Sequence, residues 1–340
     1  MGSKAFLILC AALFIGGSIL FCQTARGAAE SSVLEVYPAP MGISPSPQYS
    51  VQLVQNGQKK SSFVYQSQNP GFLSNGEPSG ITTSSTLEQS TAWTTFSFSG
   101  ASVVVQITNG KPFTAARILP SHRQIVSTIT GNVVSFSVSS PGNLAVDFCY
   151  LADSCPTDSE WDISNPMLVF SNPPQGGPGG NYLTAKPGSP VPPLSNTQSM
   201  VYFPPGVYDL GQTPYVLGIT QDGGAQGAFL AGGAYVKGAF QIAPNAKGTK
   251  IAGRGILSGE EIARNPCEAS QTCSMIDGTK IAGQALIQGI TIVNSPLRNV
   301  NLKGVENTLR GIRIISWYAN SGSFASGEAV SDPGSAIEVG

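Results

Sequence analysis

The chain has 340 residues, a formal net charge of −1, only 11% charged residues and no Lys/Arg clusters. That excludes nucleic acid and anionic membrane as the main partner, since both demand concentrated positive charge. Gly (40 residues) and Pro (25) are abundant, yet short runs of β-branched and aromatic residues recur, which excludes a disordered chain and predicts an all-β protein with many tight turns.

Met1–Gly27 reads as a cleaved secretory signal. Lys4 is the basic start, Ala5–Phe21 the apolar run, and Ala25 and Gly27 place the cut before Ala28. An uncleaved anchor is the alternative, although a 17-residue run is borderline for spanning. A secreted, extracellular protein is expected, off the membrane once the signal is removed.

Residues 28–171 carry short runs such as Tyr49–Val54, Ser61–Gln66, Trp93–Gly100, Val133–Val138 and Met167–Pro173. Their period-two alternation and regular turn signals predict a β-sandwich. Cys10 and Cys22 leave with the signal. Cys149/Cys155 and Cys267/Cys273 each enclose five residues, and in a secreted chain such pairs predict two local disulfides. A zinc site would want closer cysteines and histidine. The single histidine, His122, follows Leu-Pro-Ser as a surface loop residue, so neither metal nor cofactor is expected.

Residues 172–199 are dense in Pro and Gly, without apolar periodicity, and read as a linker. From 200 to 340 the texture changes to short strands with Gly-Ile steps at Gly255-Ile256, Gly289-Ile290 and Gly311-Ile312. The last two steps are 22 residues apart, a solenoid period. Ile-x-Ile alternation at 290–292 and 312–314 stacks apolar side chains in an interior, which predicts a parallel β-helix. Ser335–Gly340 reads as the start of a further strand with no cap in sight, so the expectation is a solenoid incomplete at its C-terminus; a complete chain would be a monomer.

Three ordered stretches, Val201–Tyr208, Phe229–Ala239 and Gly253–Glu260, resemble motifs of glycoside hydrolase family 49, the dextranases and isopullulanases. Gln89–Ile107 and Asn165–Pro173 extend the likeness into the N-terminal part. One departure is Gly232-Gly233, where the family tends to have Pro-Gly. The resemblance implies a β-sandwich followed by a right-handed parallel β-helix, and hydrolysis of α-1,6 or α-1,4 glucosidic bonds with inversion. Inversion needs one carboxyl as acid and another as base. In the family these are aspartates, one in a (Q/N)-(S/T)-D-G loop and a later Asp-Asp pair. The loop aligns with Asn320–Ser323, placing Gly322 at the aspartate position, and the pair has no counterpart before Gly340.

Trp317, Tyr318 and Asn320 are the candidate sugar-binding residues, and Glu328 is the one weak acid candidate nearby. Asp332 belongs to a Ser-Asp-Pro-Gly turn. Glu260 and Glu261, as strand neighbours, would face opposite sides and could not act together across one sugar. Two rivals stand beside an α-glucan hydrolase. One is a carbohydrate-binding β-helix protein without catalysis. The other is a polygalacturonase-like hydrolase, which would need a basic cleft that Lys237, Arg254, Arg310 and Arg313 are too scattered in sequence to establish.

Overall fold

The computed structural model describes residues 32–68, 90–151, 155, 157, 161–262, 273–295, 298–315 and 337–339. The secretory signal and Cys267 lie outside these residues. Among the described residues the fold is all β, with one 3-10 turn at Ser121–Arg123 that leaves His122 exposed, and no helix is long and apolar enough to cross a membrane.

The N-terminal unit is two sheets packed face to face. Its strands are β1 (Val33–Val36), β2 (Tyr49–Gln55), β3 (Gln58–Ser62), β4 (Val64–Gln68), β5 (Ser90–Ser99) and β6 (Val103–Asn109). They continue as β7 (Ala115–Leu119), β8 (Ser127–Thr130), β9 (Val133–Val138), β10 (Gly142–Cys149) and β11 (Asp162–Asn172). One sheet runs β3-β2-β6-β9-β8, wholly antiparallel. The other runs β1-β5-β11-β10-β7, with β4 also on β5 and a parallel β5–β11 pair inside it. Alternating inward residues, among them Leu53, Phe96, Val105, Val134 and Val146, close the core between them. The 61–66 run, read from sequence as one strand, breaks at Phe63, so β3 joins one sheet and β4 the other. Asn56 (φ 50°) and Gly57 (φ 78°) turn β2 into β3, the left-handed pair that an Asn-Gly hairpin uses. Cys149 and Cys155 form the expected disulfide; Cys273 is also disulfide-bonded.

The rest is a parallel solenoid of three sheets. The first sheet stacks β12 (Tyr182–Thr184), β13 (Met200–Phe203), β16 (Gly227–Leu230), β19 (Lys250–Gly253), β22 (Leu286–Gln288) and β25 (Thr308–Arg310). The second stacks β14 (Gly206–Asp209), β17 (Ala234–Lys237), β20 (Ile256–Ser258), β23 (Thr291–Val293) and β26 (Arg313–Ile315). The third stacks β15 (Tyr215–Leu217), β18 (Phe240–Ile242), β21 (Ser274–Gly278), β24 (Arg298–Leu302) and β27 (Ile337–Val339). Aliphatic columns such as Val236, Leu257 and Ile292 fill the interior. Strand β12 falls inside the Pro/Gly-rich 172–199 stretch, and Ala185 beside it is buried in the solenoid core.

Thr291 pairs with Arg313, so the 22-residue step is the coil repeat. Ile256 instead pairs with Thr291, one place off the Gly-Ile alignment. In consequence Ile256 points out of the solenoid, where it joins Tyr235, Val293 and Ile315 against Tyr65, Trp93 and Phe170 of the sandwich. This apolar seam is flanked by Arg313, whose guanidinium lies 4.7 Å over the Phe170 ring and donates to Asn143 and Asn172. Burial and then the neighbouring Arg254 lower the Arg313 pKa to about 10.

Burial also raises two solenoid phenols, Tyr208 and Tyr215, to about 12. A phenol whose pKa rises on folding contributes fully below its unfolded value of about 10 and loses that contribution as pH rises through the folded value. Denaturant midpoints are therefore expected to hold up to pH ~10 and fall between ~10 and ~12, with part of the tyrosinate absorbance appearing only on unfolding. Titration of all ten tyrosines near the ordinary value in the folded protein would contradict this burial.

Candidate functional site

The second solenoid sheet presents two outward columns. The sandwich covers part of both; one of them reads Asp209, Lys237, Ser258, Val293, Ile315 in register, one residue per coil. At its polar end the chain builds a hydrogen-bonded cluster. Tyr235 Oη and Ser258 Oγ both donate to Glu260 Oε2, at 2.6 and 3.0 Å. Lys237 Nζ contacts Glu260 Oε1 at 2.7 Å and Glu261 Oε1 at 3.0 Å. Asn294, in the left-handed region (φ 54°) that Asn tolerates, bridges to the sandwich: it accepts from Ser67 Oγ at 2.7 Å and donates to Ser258 Oγ at 3.4 Å.

Electrostatics reinforce this arrangement. Burial, and then the charge and hydrogen bond of Glu260, push the Tyr235 phenol well above its ordinary value, so it remains a donor. For Lys237, burial disfavours the charge, but the hydrogen bonds and charges of Glu260 and Glu261 outweigh it and raise the pKa. The Lys237 charge is thus held by two carboxylates. Both pairs are partly exposed, so their net effect on stability is small. Lys237→Met is expected to change unfolding free energy by less than ~1 kcal/mol, whereas a loss several times larger in denaturant titrations would show a buried pair.

Glu260 and Glu261 do not face apart as strand neighbours would. They follow the end of β20, in the turn, where alternation no longer applies, and both reach the same ammonium. One nitrogen in contact with both Oε1 atoms leaves no room for the water that an inverting pair holds across ~6.5–9.5 Å. The cluster is suited to binding hydroxyl groups through partly exposed carboxylate oxygens. Among the described residues no three His, Cys, Asp or Glu side chains gather as a metal site requires.

Several described residues near the corner border stretches that lie outside the described residues. Gln68, one residue after Ser67, pairs with Ser90. The 263–272 segment follows Ile262, and 316–336 follows Ile315, which pairs with Val293 beside Asn294. Trp317, Tyr318, Asn320, Gly322 and Glu328 all belong to this last segment and lie outside the described residues. The cluster itself was missed in the sequence, although its members stand inside two quoted motifs: Tyr235 and Lys237 in Phe229–Ala239, Ser258 and Glu260 in Gly253–Glu260.

Lys237 also lines a cleft of about 930 Å³ running along β14, the edge strand of the second sheet. Pro38, Pro187, Pro190 and Val191 wall it, and Asp209 stands on its floor.

No protein-family model matches the chain, and no curated protein matches it. The chain is structurally similar to Dex49A from Penicillium minioluteum. The match has a TM-score of 0.53 and 21% identity, covering 82% of this chain and 60% of Dex49A. At that identity the likeness speaks to the fold, a sandwich joined to a parallel solenoid, and this chain spans less than two thirds of the other protein's length.

Proposed function

We propose that this is a secreted protein of the dextranase/isopullulanase type that acts on neutral α-glucans, engaging them at the corner formed by Tyr235, Lys237, Ser258, Glu260 and Asn294. The observation that carries this reading is the closure of two family-type motifs on each other. Tyr235 and Lys237 of one coil hold Glu260 of the next, inside a fold shared with Dex49A. In its relatives such a protein hydrolyses α-1,6 or α-1,4 glucosidic bonds with inversion; here Gly322 stands where the family's loop aspartate belongs. Recognition of the glucan is therefore the part of the activity this chain is assigned first, and hydrolysis the part that depends on carboxylates beyond the corner.

Charge separates this reading from a pectin-type hydrolase. Lys237 is neutralised by Glu260 and Glu261, Arg313 lies in the seam on Phe170, Arg254 reaches Pro173 of the sandwich, and Arg310 is exposed on a different sheet. These four cations do not line one cleft for a polyanion. The test incubates the purified protein with dextran, pullulan and polygalacturonate, scoring retention in affinity gels and new reducing ends. Retention by dextran or pullulan is expected, and Glu260→Ala should weaken it ~10-fold or more, the scale of a charge-assisted hydrogen bond. Preferential retention by polygalacturonate would overturn the proposal; reducing ends released above a heat-treated control would add hydrolysis to it.

A further inference from the structure

One wall of the cleft along β14 follows a residue that packs on the Gly232-Gly233 turn. At Gly232 an added Cβ would lie 2.2 Å from the Tyr37 ring, and at Gly233 (φ 88°) one would lie 2.7 Å from the Pro38 carbonyl oxygen. Proline at 232, the residue the family motif tends to carry, would collide with Tyr37. With glycine there, Tyr37 lies flat on the turn, anchored by its hydroxyl to Ser97 and next to Arg254. The segment after it, Pro38 to Met41, is thereby laid beside the first solenoid coil as one wall of the cleft. Opposite stands the 187–191 loop, tied to β14 by the Gly188 N–H donating to the Val207 carbonyl at 3.1 Å.

We infer that this cleft is a binding site for a neutral polysaccharide chain extending beyond the corner, an inference that rests on the glucan reading above. Four observations carry it. Its volume, about 930 Å³, is at the upper end of small-ligand sites and suits more than one sugar ring. Its walls are proline faces, which offer C–H surface to the apolar side of a pyranose. Its polar groups are sparse: Asp209, one of whose oxygens accepts from Gly211 N–H at 2.7 Å, and Lys237, whose charge is already held by two carboxylates. That balance disfavours a polyanion. Finally, the cleft is continuous with the corner through Lys237, and Asp209 and Lys237 stack on adjacent coils at ~4.8 Å, close to the length of one hexose unit. A chain passing from the cleft to the corner would meet Asp209 and then the Lys237–Glu260 pair.

Two variants test the site by calorimetry against isomalto- and malto-oligosaccharides of increasing length, with manno-oligosaccharides as a second neutral series. Asp209→Ala removes an exposed acceptor without touching the core; Gly232→Pro restores the bulk that would displace Tyr37 and open the wall. The expected result is affinity that rises with chain length in the wild type and a ~2–10-fold loss of that gain in Asp209→Ala, with short oligosaccharides unaffected. Gly232→Pro should abolish the gain, and its circular dichroism reports whether it folds; if it does not, Asp209→Ala still decides. Glucan binding that keeps its full length dependence in Asp209→Ala overturns the cleft and leaves the glucan reading standing. Variant-sensitive binding of manno-oligosaccharides alone overturns the glucan reading and keeps the cleft as a neutral-polysaccharide site. No binding by any series overturns both.

Discussion

Gly253→Ala is expected to cost on the order of 3–5 kcal/mol, measured as the loss of unfolding free energy in denaturant. Two effects add at this position. Its φ is 139°, where a side chain is strained, and an added Cβ would sit 1.8 Å from the Leu230 carbonyl oxygen of the coil below. That oxygen cannot simply swing away. It accepts from Arg254 N–H at 2.8 Å and from Gly255 N–H at 3.0 Å, so it fixes the turn that carries the chain from β19 into β20. Displacing it would shift β20, and with it Ser258 and the cluster around Glu260. Glucan retention should therefore fall together with stability. Gly176→Ala is the control, since nothing lies within 4 Å of its added Cβ, and it should stay within ~0.5 kcal/mol of wild type. A loss below ~1 kcal/mol at Gly253 would mean that the coils do not approach this closely.

The second large effect is expected at the seam. Trp93 is 1% exposed and stacks on Tyr65 with ring centroids 5.4 Å apart; Tyr65 in turn stacks on Tyr235 of the solenoid at 6.5 Å. Trp93→Ala empties the sandwich side of that stack and should cost ~3–5 kcal/mol. Because the residue lies between the units, the calorimetric transition should also split into two. Trp93→Phe separates packing from polarity. The indole Nε1 is buried with no hydrogen-bond partner among the described residues, so losing it removes a penalty while the ring contact is largely kept. Phe should therefore cost far less than Ala, and equal losses for the two would place the energy in a polar contact instead.

Much of this architecture is legible in the sequence because its signals are local. Period-two alternation marks the sandwich strands, and Ile290/Ile292 and Ile312/Ile314 mark the solenoid interior. The misses have physical reasons. Ile256 looks like another interior residue because a glycine precedes it, but one residue of register sends it to the seam; register is set by the coil below, which no local pattern encodes. The β12 strand is three residues long in Pro/Gly-rich surroundings, too short for a periodicity to show. The Phe63 break could have been anticipated from Asn56-Gly57, whose hairpin commits Gln58–Ser62 to pair back on β2. The cluster is half legible. Its residues stand in recognisable motifs, but the hydrogen bonds joining them cross 25 positions from Tyr235 to Glu260 and 227 from Ser67 to Asn294.

The seam also has a temporal dimension. Arg313 finds its acceptors Asn172 and Asn143 across 141 and 170 residues of chain. At ribosomal rates of ~5–20 residues per second, the sandwich is synthesised roughly 7–30 s before Arg313 exists. Early in that interval, until Tyr235, Ile256 and Val293 follow, Tyr65, Trp93 and Phe170 form an aromatic face with no solenoid to cover it. The nascent sandwich is thus a substrate for hydrophobic-surface chaperones during synthesis, and slower elongation past Asn172 should lower the yield of folded protein.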